Sequence, residues 1–373
     1  SAEQQRRDLR VLRAVLEDAH PNLHLYISAE ELDARFEEAI EGAGETRSVL
    51  ATYRVLAQLT EAVGCGHTEL MLGDAMAVEL QSQAGFFPFD LLPKDGGLWI
   101  DPRVYDGPLT QITSIDGRTA PQILEDLSAL VSADGHSEAA KLDKLDGRFS
   151  WWYALSYGTS DSFNVAQRVV EVPEQTTLSA SIYKDVQSSD PDTSYMRFRI
   201  LEDELAYLRV DTFERGNLGY FRYVHRQLRR FQPAALIVDI RHNGGGISEY
   251  IPLYRSVALS PFDVYTNPLR ARPAAVSGFR GTLFIDHATD LVDIPARAFE
   301  EREGSWHLRE RVSADPMSQV RPNRRPYEGA VYVLTGPKTF STGAIFAGLF
   351  SQGGRGTLIG QETGGSGHHL GGG

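Results

Sequence analysis

Two stretches of this chain are built alike, and together they limit what it can fold into. They are Ala234-Ala-Leu-Ile-Val-Asp239-Ile-Arg241-His-Asn243-Gly244-Gly245-Gly246 and Val331-Tyr-Val-Leu-Thr335-Gly-Pro-Lys-Thr-Phe340-Ser341-Thr342-Gly343-Ala344. Each begins as a short, β-branched, apolar run, which reads as a buried strand. Each then breaks at glycine and re-enters a helix-like pattern. Three consecutive glycines leave backbone N–H groups bare and let another chain segment approach closely. Ser341 opens the helix expected over 342–350. Its hydroxyl there sits in the positive field of a helix N-terminus, and the Thr342 N–H is free to point at an oxyanion. A bare-amide loop beside a helix-opening serine is what acyl transfer needs: a nucleophile and an oxyanion hole. The ordinary reading of Ser341 is an N-cap, which the same position favours. A phosphate cradle is the other use of such a loop, but no Walker lysine and no G-x-G-x-x-G pattern accompanies it.

The 373 residues imply two or three domains. A formal charge of −13 argues against nucleic acid or an anionic membrane as main partner. No apolar run approaches the ~18 residues of a membrane span. No signal peptide is visible, but the chain starts at Ser1 without a Met, so a leader is expected to have been cut or omitted. Cys65 is the single cysteine, which excludes an internal disulfide. No Cys/His pattern has zinc spacing, and neither metal nor cofactor is expected.

Taken in order, residues 3–18 read as an amphipathic helix with Leu9, Leu12, Val15 and Leu16 on one face. Ser28-Ala-Glu-Glu31 resembles a capping box and starts a second helix to about Glu41. A third runs from Thr46 to Val63 and stops at Gly64-Cys65-Gly66. Residues 1–72 therefore read as a helical subdomain. Residues 73–177 read as a β-rich module: Phe86–Leu92, Leu98–Ile100 and Ile112–Ile115 as strands, and Pro121–Val131 as a helix. Trp151-Trp152-Tyr153 reads as core rather than as a substrate groove. Segments 177–183 and 194–200 read as a hairpin, and Leu205–Val210 as the strand entering a third domain, 178–373. Asp239 and Arg241 read as structural. Residues 260–328 show little periodicity, the mark of a lid, a wall or an insertion. Asp286-His287 lies in that stretch and reads as surface.

The residues quoted above also carry a family resemblance. Leu236–Gly246 resembles the "LIxDxRxNxGG" signature of the C-terminal processing (tail-specific) and tricorn-core serine peptidases. Tyr332–Gly343 resembles that family's nucleophile segment. Gly353-Gly-Arg-Gly-Thr-Leu-Ile-Gly360-Gln-Glu-Thr363-Gly364-Gly365 is similar to its "xxIGxxTxG" strand and turn. Gly66-His67-Thr68 resembles the element that closes the helical subdomain in tricorn-core relatives, where the histidine is the general base. Leu109–Thr119 resembles the end of a PDZ domain, without a clear "GLGF" loop.

The resemblance implies Ser341 as nucleophile, with an oxyanion hole of the Thr342 N–H and that of Gly244 or Gly245. For the base it leaves two candidates. Processing peptidases place a lysine just past "TxG"; here Gly365-Ser366-Gly367-His368-His369 follows, with no lysine. His67 is the first choice, and a neutral imidazole suits proton abstraction near pH 7. His368, 27 positions after Ser341, is the alternative. The tricorn arrangement also uses a serine before the histidine and a distal glutamate. Gly66 occupies the first position, and the family's measure puts the second beyond Gly373, as in a domain truncated at its C-terminus. Glu362 is a substitute for the acid and Thr68 for the hydroxyl.

The expectation is a multidomain α/β chain: an N-terminal helical subdomain, a β-rich PDZ-like middle and a crotonase-like (ClpP-like) catalytic domain. Its expected function is a serine endopeptidase acting on a peptide or protein substrate through an acyl-enzyme. The alternatives are a catalytically inactive ligand-binding protein on the same scaffold, or a crotonase-like acyl-thioester enzyme. By resemblance the compartment is periplasmic or extracellular, with the cytoplasm also open. Oligomeric state is not legible.

Overall fold

A computed structural model describes every residue of the chain except 21, 45–47, 102–107, 170–171, 180, 183–194, 202–204, 215, 248, 265–298, 303–304, 310–318 and 367–373. Asp286 and His287 therefore lie outside the described residues. The chain divides into two compact units. One contains Ser1–Arg13 and His24–Pro191, the other Ala14–Leu23 and Asp192–Gly373. The result is a mixed α/β, multidomain fold.

The chain opens with α1 (Ala2–Ala19), α2 (Ala29–Glu41) and α3 (Val49–Glu61). Ser28 and Ser48 accept hydrogen bonds from the N–H groups of Glu31 and Ala51, which satisfies donors that helices α2 and α3 would otherwise leave open. After α4 (Asp74–Ser82) come β1 (Ala84–Phe86), β2 (Leu91–Lys94), β3 (Gly97–Ile100), β4 (Thr110–Ile115) and β5 (Arg118–Thr119). Asp116 and Gly117 both take positive φ, which makes the tight β4–β5 turn. A capping box between Thr119 and Gln122 then opens α5 (Ala120–Ser128). Helices α6 (Glu138–Leu145) and α7 (Phe149–Tyr157) and strands β6 (Ser162–Val169), β7 (Val172–Ser179) and β8 (Ser181–Ile182) complete the first unit. Its main sheet is antiparallel in the order β2-β3-β4-β6-β7, with β5 on β4, and β1 pairs with β8. Trp151 and Tyr153 of α7 are buried, Tyr153 among Phe87, Phe149 and Phe163, so this aromatic run is core.

The second unit holds β9 (Met196–Ile200), β10 (Leu205–Val210), α8 (Leu218–Phe231), β11 (Ala235–Asp239), α9 (Tyr250–Arg255), the β12–β13 hairpin (Phe299–Arg302, Ser305–Leu308), β14 (Ala330–Thr335), α10 (Thr342–Gly353) and β15 (Thr357–Gly360). Its sheet order is β15-β14-β11-β10-β9. The first four strands are parallel and β9 is an antiparallel edge. Parallel neighbours need crossovers, and α8 and α10 supply two of them. Phe221, Val224 and Leu228 bury one stripe of α8 against a core that includes Leu208, Val238, Phe346 and Phe350. The hairpin expected between 177–183 and 194–200 is not formed. Strand β7 pairs with β6 and β9 with β10, each with a neighbour reached by a shorter loop, whose closure costs less entropy.

Candidate active site

Ser341 stands between β14 and α10 with φ 51° and ψ −125°, a conformation that a non-glycine residue adopts only under strain. The turn before it is fastened to the loop after β11. The Gly336 N–H donates to Thr339 Oγ1 (3.1 Å), and that hydroxyl donates to the Ile240 carbonyl (2.8 Å). The Phe340 N–H donates to the Asn243 carbonyl (2.9 Å). The segment leading into the serine is therefore held against the loop after β11.

Glycines set how closely the two loops approach. Gly245 has φ +109°, and a Cβ there would lie 2.7 Å from Ser341 Cβ. A Cβ on Gly365 would meet the Ser341 nitrogen at 2.9 Å, and one on Gly343 the Asn243 carbonyl at 2.7 Å. Asn243 is fully buried and holds the glycine loop in shape. Its Nδ2 donates to the Val210 carbonyl (3.0 Å), and its Oδ1 accepts the Gly245 N–H (2.9 Å). Sequence reasoning quoted Asn243 in a motif but gave it no role. The available signal was an amide side chain directly before glycines that leave a strand. Among the described residues, no protein acceptor is found for the N–H groups of Gly244 and Thr342.

At the end of β11, Asp239 accepts the Arg241 N–H (3.1 Å), both ends of the Arg241 guanidinium (2.9 and 2.7 Å) and the Tyr207 hydroxyl (2.8 Å). Burial pushes its carboxyl up, but these hydrogen bonds outweigh burial and hold it below the usual carboxylate range. The ion pair ties the end of β11 to the first residue of the loop that follows Ile240.

His67 lies in the first unit, in the loop after α3. The Thr68 N–H donates to the Cys65 carbonyl (3.0 Å), the Gly66 N–H to Asp134 Oδ1 (2.6 Å), and the Gly135 N–H to the Gly64 carbonyl (2.9 Å). One side-chain donor atom from each of Cys65, His67 and Asp134 lies within 4.8 Å of the others. Burial pushes the Cys65 thiol up, partly offset by hydrogen bonds from the Thr68 hydroxyl and the His67 and Thr68 backbone. Among the described residues, this trio of thiol, imidazole and carboxylate is the group whose side-chain atoms lie close enough together to hold a metal ion. Residue spacing did not reveal it, because Asp134 is remote in sequence.

Ser341, Thr342, Gly244 and Gly245 thus share the second unit, and His67 belongs to the first. His368 lies outside the described residues, and Glu362 is exposed. Among the described residues no helix is long and apolar enough to cross a membrane.

Residues 204–370 match the family model of peptidase family S41. No curated protein matches the chain in sequence. Among solved structures, mature CPAF is 12% identical with a TM-score of 0.61, over 97% of this chain and 84% of that one. Mature CPAF complexed with lactacystin is 11% identical with a TM-score of 0.61, over 97% and 85%. The photosystem II D1 C-terminal processing protease is 13% identical with a TM-score of 0.39, over 97% and 81%. The likeness to CPAF is one of fold.

Proposed function

Residues 204–370 match the family model of peptidase family S41, and on that premise we propose that the chain is a serine peptidase of this family whose nucleophile is Ser341. In this reading Ser341 Oγ attacks the carbonyl carbon of a peptide bond while His67 takes its proton. The N–H groups of Thr342 and Gly244 receive the oxyanion. Gly244 is preferred to Gly245 because the Gly245 N–H is engaged by Asn243 Oδ1. Collapse of the tetrahedral species expels the amine, which takes the proton from His67 and leaves an acyl-enzyme. Water, deprotonated by the same imidazole, then releases the acid.

The observation that carries this reading is the strained Ser341 backbone at a strand-to-helix turn, packed on a glycine loop. An N-cap serine needs no such strain; its usual backbone is extended, as at Ser28. Four parallel strands with helical crossovers support the crotonase-like description of the second unit. The β4–turn–β5–α5 order supports the PDZ-like description of the middle.

The test is cleavage of a diverse peptide library together with labelling by a fluorophosphonate probe. Ser341→Ala should abolish labelling and lower kcat by at least about 10³-fold with folding intact. His67→Ala should lower kcat comparably. Cleavage that survives Ser341→Ala would refute the mechanism, and loss in Ser341→Ala alone would move the base to His368.

A further inference from the structure

We propose that the exposed face of α8 docks an acidic, extended segment of a protein substrate. That the docked protein is a substrate rests on the peptidase reading above; the surface itself is a feature of this one helix. Its sequence, Leu218-Gly-Tyr-Phe-Arg-Tyr-Val-His-Arg-Gln-Leu-Arg-Arg-Phe231, holds Arg222, Arg226, Arg229 and Arg230 and no acidic residue. It does so in a chain with 50 acidic against 37 basic residues.

Three observations carry it. First, the helix buries Phe221, Val224 and Leu228 and leaves all four arginines exposed. Tyr223 and Phe231 are exposed beside them, at 41% and 47%, and offer apolar surface to a partner. Second, the charge is uncompensated. Among the described residues none of the four arginines makes an ion pair, whereas Arg209, Arg241 and Arg309 of the same unit each hold a carboxylate. Like charges four apart on a helix repel, and Arg222, Arg226 and Arg230 are spaced so. Arg229 and Arg230 have a local reason to be there, since cations suit the last turn of a helix. Arg222 and Arg226 have none. The field is felt at His225, whose imidazole is pushed below its ordinary range by burial and then by the Arg229 charge. Third, the stripe starts near the Ser341 loop. The Phe213 N–H donates to the Gly245 carbonyl (2.8 Å), and the Ile247 N–H to the Phe213 carbonyl (2.8 Å). Asn217 Nδ2 then donates to the Thr212 carbonyl (2.9 Å). The segment that leads into α8 is thereby fastened to the glycine loop, and the arginines run away from that end.

Spacing selects the shape of the occupant. Residues four apart rise about 6 Å along a helix. Alternate side chains of an extended strand stand about 6.6 Å apart. Carboxylates at every second position of an extended segment therefore match Arg222, Arg226 and Arg230 in turn, and each guanidinium can grip one bidentately. Net charge selects its size. An anionic bilayer or a nucleic-acid duplex reaches past the stripe and meets the acidic remainder of a chain of charge −13. A short acidic segment lies within about 8 Å of the arginines, the screening length at physiological salt, and feels chiefly them.

The experiment separates docking from cleavage. Fluorescein-labelled oligoglutamate is titrated with the full Ser341→Ala chain and followed by anisotropy. It should bind, and release as salt is raised. Arg222→Glu/Arg226→Glu in that chain should weaken binding by at least about tenfold, the low end of what a focused charge patch does to association. Arg222→Gln/Arg226→Gln, a milder change to the same exposed face, should fall between. In the active enzyme, a cleaved library peptide extended by glutamates should show a KM at least about tenfold below its glutamine-extended counterpart, with similar kcat. The charge-reversed enzyme should lose that preference and still cleave the glutamine form as wild type does. Equal oligoglutamate binding by wild type and both variants overturns the proposal, and so does a KM indifferent to the acidic extension. Binding of phosphatidylserine vesicles without binding of oligoglutamate overturns it in favour of a membrane contact. Self-association of wild type that the charge reversal abolishes, again without oligoglutamate binding, overturns it in favour of a contact between copies. Oligoglutamate binding that the variants lose, in a protein that cleaves no peptide, keeps the docking surface and removes the peptidase reading.

Discussion

Two buried aspartates, one in each unit, sit beneath loops that carry candidate catalytic groups, and their surroundings differ. Asp239 lies at the end of β11 and is saturated by Arg241 and the Tyr207 hydroxyl. Asp134 lies opposite the His67 loop with a backbone N–H and an imidazole as neighbours. A carboxylate closed off by a fixed guanidinium has its charge spent on structure. The contrast extends to the loops. The Ser341 loop is shaped by glycines and by Asn243 within a single sheet's strand ends, whereas the His67 loop depends on a partner 68 positions from Gly66.

The sharpest break of this comparison is at the glycines. Gly245→Ala places a methyl 2.7 Å from Ser341 Cβ at a residue with φ +109°. The serine must move, and kcat should fall by at least about 10²-fold, since misplacement of a nucleophile by 1 Å costs that much. Gly219→Ala, near the start of α8, is the control. Nothing lies within 4 Å of its new Cβ, so the variant should stay within a few fold of wild type. Steady-state kinetics and probe labelling of both variants decide the matter. Equal activity in the two would mean that the Gly245–Ser341 approach does not fix the nucleophile.

Asn243→Ala comes next, read as stability. It orphans the Val210 carbonyl and the Gly245 N–H in a buried place. Each unsatisfied group costs about 1–3 kcal/mol, so a loss of roughly 2–5 kcal/mol should appear in denaturant unfolding followed by a second-unit probe. A loss below about 1 kcal/mol would show that water replaces the amide.

How far the sequence revealed these features follows from the range of the forces involved. Strands β11 and β14, the glycine loop and the helix after Ser341 were legible because each is coded by neighbours: β-branched runs, then glycine, then helix formers. Ser28 at the start of α2 was legible for the same reason. Helix α7 was not, because Phe149–Tyr157 is apolar on nearly every side and leaves no stripe to count. Strand partners were misassigned where the polar alternation of 177–183 and 194–200 fitted more than one register. Ser341 could be named from its motif, but its positive φ could not. Asp134 carried no local mark at all; only folding brings it to the turn around His67.

The smallest effect reads Asp239 through pH. The Asp239 carboxyl titrates below its unfolded value because its hydrogen bonds outweigh burial. A depressed folded pKa means that the unfolded chain binds the proton first. The stabilisation is then complete above the unfolded carboxylate range, about pH 4, and is lost as pH falls through the folded value. Tyr207→Phe removes one of the hydrogen bonds and should cost about 1 kcal/mol at pH 7. It should also flatten the acid-side loss of stability, since less of the carboxylate's advantage remains to be titrated away. Urea unfolding of wild type and Tyr207→Phe from pH 7 down to pH 3 measures both. If the two proteins lose stability in parallel, the Tyr207 hydrogen bond does not favour the charged form of Asp239. The carboxylate would then be held in its charged form by Arg241 alone.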